Sequence, residues 1–188
     1  MSPDPRTREL MALTIRSIER LAPGVEHYIV VDRADRRLFE GLRNERTTLL
    51  TTEDVLPLWL RRVNARRLGV RSDVWLQAFG RPVRGWLTQQ LVKLAIVEQL
   101  TADVVVHADS DVVQLKPFSA RSLSDPTGRV RLYERKGAID EDLPLHLLWH
   151  RSAERLLGLS PASLPIADYV GGLLPWRRDN VLASPPGG

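Results

Sequence analysis

The chain contains no cysteine. That excludes disulfides, thiolate metal sites and cysteine nucleophiles. It has no uncharged apolar run near the roughly 18 residues of a membrane span, so none is expected. The opening residues, MSPDPRTREL, lack the apolar core of an export signal, which leaves a cytoplasmic location as the default. Lysine is scarce: Lys93, Lys116 and Lys136 are the only lysines among 27 basic residues. The arginine excess suits oxyanion recognition, since a guanidinium grips paired oxygens, but a GC-rich coding bias produces the same excess.

What remains is an ordinary globular composition. The 188 residues are 43% hydrophobic and 27% charged, enough for one domain with a real core. The net charge of +4 gathers partly in RRVNARRLGVR, which holds Arg61, Arg62, Arg66, Arg67 and Arg71. No aromatic residues interleave there, so it reads as a solvated helical face, and no nucleic-acid partner is expected.

Apolar spacing predicts helices over residues 7–21, 56–67, 85–100 and 142–157, and a short one over 34–42. HYIVVD, TTLLTT, DVVVHA and RVRLYER read as strands, residues 72–84 as loop, and ADYVGGLLPWRRD as strand or loop. Alternating elements of this kind predict an α/β sandwich with a mostly parallel central sheet.

The stretch ADVVVHADSDVVQLKPF carries the chemistry. Asp109 and Asp111 close an apolar strand, where ligands of open α/β sheets gather. If the strand continues, both carboxylates share one side and Ser110 faces the other. Two neighbouring carboxylates repel, and a divalent cation removes the conflict. Hard oxygen ligands suit Mg²⁺ or Mn²⁺, ions that share phosphate oxygens with a substrate.

GWLTQQLVKLAIVEQLTADVVVHADSDVVQLKPF resembles the core of a GT-A type glycosyltransferase, in which a helix precedes a strand ending in Asp-x-Asp. With RSIERLAPGVEHYIVVD, YERKGAI, HLLWHRSAERLLGL and YVGGLLPWRRD, the chain is similar to a bacterial family with that fold whose members are mostly of unknown function. The likeness runs over roughly residues 8–181. It implies a three-layer GT-A sandwich that binds a UDP- or GDP-sugar donor through Mn²⁺ or Mg²⁺ and transfers the sugar to an acceptor. Asp109 would lie nearer the ribose and metal and Asp111 would be the firmer metal ligand, with Ser110 beside them. GT-A domains open on a strand, and this chain opens on a helix. The organisation expected is one GT-A-like domain over residues 1–183, short of that strand and of its C-terminal part, with residues 184–188 a disordered tail.

Further residues group around this motif. Lys93 suits a donor phosphate, and Gln89 or Gln90 a sugar hydroxyl. Trp86 reads as core or boundary. His146 and His150 share a helix face. They lack the glutamate of His-Glu-x-x-His, so His146 and Trp149 read better as acceptor-facing than as zinc ligands. Gly171 and Gly172 permit close backbone approach and are assigned, with Trp176, to the acceptor side; Asp168 flanks them. Arg135 and Lys136 are weaker anion candidates. No catalytic base or nucleophile of a transferase is placed. Two alternatives stand beside this reading. One is a haloacid-dehalogenase-type phosphatase with Asp109 as nucleophile and Asp111 as acid/base, although its later lysine could only be Lys116 or Lys136 and its later acidic pair, Asp140 to Asp142, follows no convincing apolar strand. The other is a shortened, inactive binding domain.

Overall fold

The computed structural model describes residues 5–63, 74–76, 82–83 and 85–183. Helix α1, Pro5–Leu21, opens the fold. Its Ile15 joins Ile29, Val31, Phe39 and Leu49 in one buried cluster, with Met11 alongside. Gly24, at a φ of 91°, lets the chain reverse after the helix. Strand β1, His27–Val31, then pairs in parallel with β2, Thr47–Thr51. The connection holds a short helix α2, Arg36–Phe39, which buries Phe39. Alternation along β1 decides its two faces: Ile29 and Val31 meet α1, while Val30 joins a second cluster.

That second cluster sits under α4, Trp86–Gln99, and β5, Val104–Ala108. Ile96, Val97 and Val105 are buried there against Val55, with Trp176 and Val181 packed on them. Val97 has no exposed surface, so truncating it to alanine would cost about 2 kcal/mol. Strand β5 pairs antiparallel with β8, Leu173–Arg177, and α7, Arg178–Leu182, follows. Between them lie α5, Ala120–Leu123, then β6, Arg135–Ile139, then α6, Pro144–Leu156. Strand β7, Ile166–Asp168, pairs back onto β6. Proline at the first position starts α6, and Gly158, at a φ of 67°, closes it.

The molecule is mixed α/β, but the sheets differ from expectation. Among the described residues four separate two-stranded sheets form, and only β1 with β2 is parallel. Helix–strand alternation implied parallel crossovers; instead β8 and β7 return beside β5 and β6 as antiparallel partners.

Three elements also differ. Over 56–63, the described part of the helix expected at residues 56–67, no helix forms: the single turn α3, Thr52–Val55, ends before it and strand β3, Arg61–Val63, lies within it. Leu56 and Leu60 are buried at helix-like spacing. Pro57 nevertheless holds Leu56 extended at a ψ of 148°, which ends the helix. Val74–Leu76, expected as loop, is strand β4, paired antiparallel with β3 around the buried Trp75. The strand expected at RVRLYER lies later, at β6, because exposed Leu132 and Tyr133 have no face to bury, whereas Ile139 does. Arg66, Arg67, Arg71 and the 184–188 tail lie outside the described residues.

Candidate functional site

Strand β5 delivers the acidic pair to an open turn. The ladder with β8 runs one bond past the strand, as Asp109 N–H donates to the Gly172 carbonyl at 2.9 Å. Val112 N–H donates to the Asp109 carbonyl at 3.2 Å, closing a turn over Ser110 and Asp111. From the other side, Thr14 Oγ1 on α1 donates to the Ser110 carbonyl at 3.1 Å. The backbone is thus held by β8, by its own turn and by α1. Asp109, Ser110 and Asp111 are all exposed. The strand ends at Ala108, so this turn, rather than continuing strand alternation, sets where Asp111 points.

Lys93 faces this turn from α4. Its Nζ lies 3.6 Å from Asp109 Oδ1, with 24% of the lysine side chain and 53% of the aspartate side chain exposed. A pair this open contributes at most about 1 kcal/mol. Helical spacing places Trp86, Gln90, Lys93 and Val97 along one stripe. The stripe runs from the buried core at Val97, past the acidic turn, to the helix N-terminus.

His107 shares the β5 face of Val105 and Asp109. Its ring meets Trp176 edge-on, centroids 4.4 Å apart at 67°. Burial first, and the Lys93 charge second, push its pKa down to about 4. The ring is therefore neutral near pH 7 and leaves Asp109 to Lys93. Its Nε2 is buried without a hydrogen-bond partner.

Of the two glycines assigned to the acceptor side, Gly172 lies against the acidic turn. A β-carbon on Gly172 would lie 2.8 Å from Val112 Cγ2 and 3.8 Å from Asp109 Oδ2. Only glycine lets the β8 entry approach that closely. Gly171 lies under the Tyr133 ring. Trp176, assigned to the acceptor side, instead packs on the core cluster beneath the site. Asp168 is buried; its Oδ1 accepts from Val170 N–H at 3.0 Å, and its Oδ2 lies 3.4 Å from Arg135. Arg135 thus has a structural partner, while Lys136 is exposed on β6.

His146 and Trp149 lie on α6, but their neighbour is Trp86. The Trp86 and Trp149 rings stack 5.0 Å apart at 6°, and His146 leans on Trp149 at 5.0 Å. His150 turns away toward Glu154, Nδ1 to Oε1 at 3.3 Å without hydrogen-bond geometry, and toward Tyr169. The buried Glu154 in turn accepts from Ala162 N–H at 2.8 Å and from Arg151 at 2.9 Å. The histidine pair is therefore divided between two structural roles. Sequence reasoning missed the Trp86 stack, the half-buried His107 and the Thr14 tether. Each depends on a partner distant in the chain.

Among the described residues no group of three or more His, Asp or Glu side chains could hold a metal. Two exposed carboxylates on a turn still fit a hard cation that takes its remaining ligands from water and a substrate phosphate. A cavity of about 450 Å³, lined by Val55, Leu58, Trp59, Leu91, Leu94 and Glu98, opens on another flank of α4 and holds none of these residues. No helix of the described residues is long and apolar enough to cross a membrane.

The model of a family described as a family of unknown function (DUF6492) matches residues 11–173, and the chain belongs to that family. No curated protein and no solved structure matches it.

Proposed function

We propose that this member of the DUF6492 family is a metal-dependent glycosyltransferase of the GT-A kind, acting on a nucleoside diphosphate-sugar. The observation that carries the reading is the approach of Lys93 Nζ to Asp109 Oδ1, 3.6 Å apart at an exposed strand end. Carboxylates and an ammonium in one open place provide for a cation and for the phosphates that share it. Asp109 and Asp111 would hold Mg²⁺ or Mn²⁺. When bound, the ion would stabilise the charge of the departing diphosphate.

The chain's own groups divide the remaining work. Lys93 offers a second positive charge to the diphosphate. Gln90, one turn further along α4, offers an amide to sugar hydroxyls. Neutral His107 keeps the floor of the site uncharged. From Lys93 to Trp86 the helix rises about 10 Å, room for a sugar ring between phosphate and aromatic stack. Gly172 brings the β8 backbone against Asp109 and fixes the turn.

The test is manganese-dependent release of UDP or GDP from nucleotide-sugars. Release by the native chain, abolished in Asp111→Asn, is the expected result. No release from any UDP- or GDP-sugar contradicts the reading.

The phosphatase alternative also uses Asp109, with a later lysine, Lys116 or Lys136. Asp140 and Asp142 follow strand β6, but of its residues RKGAI only Ile139 is buried, so it is not the apolar strand that motif needs. Nor do these carboxylates gather with Asp109 and Asp111 into a group of three. Asp109→Asn-sensitive phosphate release from small phosphoesters would establish it instead.

A further inference from the structure

We infer that Trp86, backed by Trp149, is a stacking platform for a pyranose ring of the acceptor, so the acceptor is a saccharide. The inference rests on the transferase reading and names its second substrate. Trp86 is 53% exposed although it is among the largest apolar side chains of the fold. Burying such a side chain would be favourable, so its exposure in a fixed pose needs a reason. The pose is fixed: Trp149 covers one face of the ring at 5.0 Å and 6°. Gly85, at φ 52° and ψ −123°, sets the helix entry in a conformation open to glycine. The cost of immobilising Trp86 is thereby met before any ligand arrives.

The surroundings select the ligand class. A pyranose presents apolar C–H faces and a polar rim. A flat aromatic ring beside amides answers both. Gln89 is exposed and Gln90 half-buried within the next turn of α4, and each amide both donates and accepts. An organic cation would also stack on tryptophan, but α4 carries no acidic residue before Glu98. Along α4 the platform residue Trp86 stands about 10 Å from Lys93, which faces the acidic turn, the reach of one sugar ring and its linkage.

The experiment is saturation-transfer NMR on the full chain with maltose, cellobiose, lactose and diacetylchitobiose. Manganese-plus-UDP and manganese-plus-GDP melting shifts are recorded on the same proteins. Native chain and Trp86→Phe should bind at least one disaccharide. Trp86→Ala should bind it about tenfold more weakly, with its nucleotide shift unchanged. Trp86 is exposed enough for its truncation to leave the core intact, and Trp149→Ala provides a second reading of the platform. No transfer to any disaccharide, or equal transfer to Trp86→Ala, overturns the inference. A nucleotide shift lost in Trp86→Ala also overturns it, assigning the platform to the donor base. Trp86-dependent disaccharide binding with no nucleotide shift in the native chain sustains the platform and overturns the transferase reading alone.

Discussion

Lys93 on α4 and Asp109 at the end of β5 face each other at 3.6 Å, the lysine mostly covered and the aspartate half exposed. The pair makes Asp109 a shared resource. A cation that engages Asp109 must compete with Lys93, and a diphosphate gives Lys93 a new partner. Cation and nucleotide should therefore favour each other's binding, reciprocally.

Lys93→Met should separate the two effects. Manganese alone should bind a few-fold more tightly, in keeping with an exposed ion pair of at most about 1 kcal/mol. Manganese-supported nucleotide binding should weaken about tenfold, because the charge-assisted contact to phosphate is lost. Isothermal titration of metal, then of nucleotide, checks both. Equal losses in the two titrations would show that Lys93 acts only through folding.

Gly172→Ala should destabilise the chain by about 1–3 kcal/mol. The added carbon meets Val112 Cγ2 at 2.8 Å, and the stiff β-branched side chain must shift beside the Asp109 turn to admit it. Thermal unfolding reads the stability loss, and metal binding should fall with it. Gly171→Ala meets the Tyr133 ring at 3.2 Å and Leu174 Cδ2 at 3.5 Å, looser contacts, and should cost less.

The turn was legible in part. VVVHA announced a strand and Asp109 its end, and GG two close approaches; the structure has these, although only Val105 of the strand is buried. Local pattern could not show that Lys93 reaches Asp109, since that depends on how α4 folds back on β5. Nor could it separate Leu56 and Leu60 from a helix, because both spacings look alike until Pro57 is given its steric weight. Trp176 shows the opposite failure: an aromatic beside two glycines suggested a ligand surface, but antiparallel pairing with Val105 turns it into the core. The parallel sheet was inferred from element order alone, which does not fix strand direction.

Acid should weaken the fold through His107. Its pKa is about 4 in the folded chain and 6.5 when free. Between those values the unfolded chain takes up a proton that the folded chain refuses. Stability is therefore full above pH 6.5, falls as pH drops toward 4, and loses no more from this group below that. The total is about 3 kcal/mol. His27, also held low chiefly by burial, adds to the same slope. Urea unfolding across this window should be flatter for His107→Leu. An unchanged slope would contradict the assignment.

Glu154→Ala should lower the melting temperature and leave metal and nucleotide binding intact. Its carboxylate holds Ala162 N–H and Arg151, and its removal leaves a backbone donor unpaired. Differential scanning fluorimetry with and without manganese and nucleotide separates this structural role from one in the site.

The most direct test of the central claim is calorimetric titration of UDP and GDP into the native chain, Asp109→Asn and Asp111→Asn, each with and without manganese. The account predicts that at least one nucleotide binds the native chain only when manganese is present, and that either substitution abolishes that binding. Nucleotide binding that ignores manganese, or that survives in both variants, would contradict it.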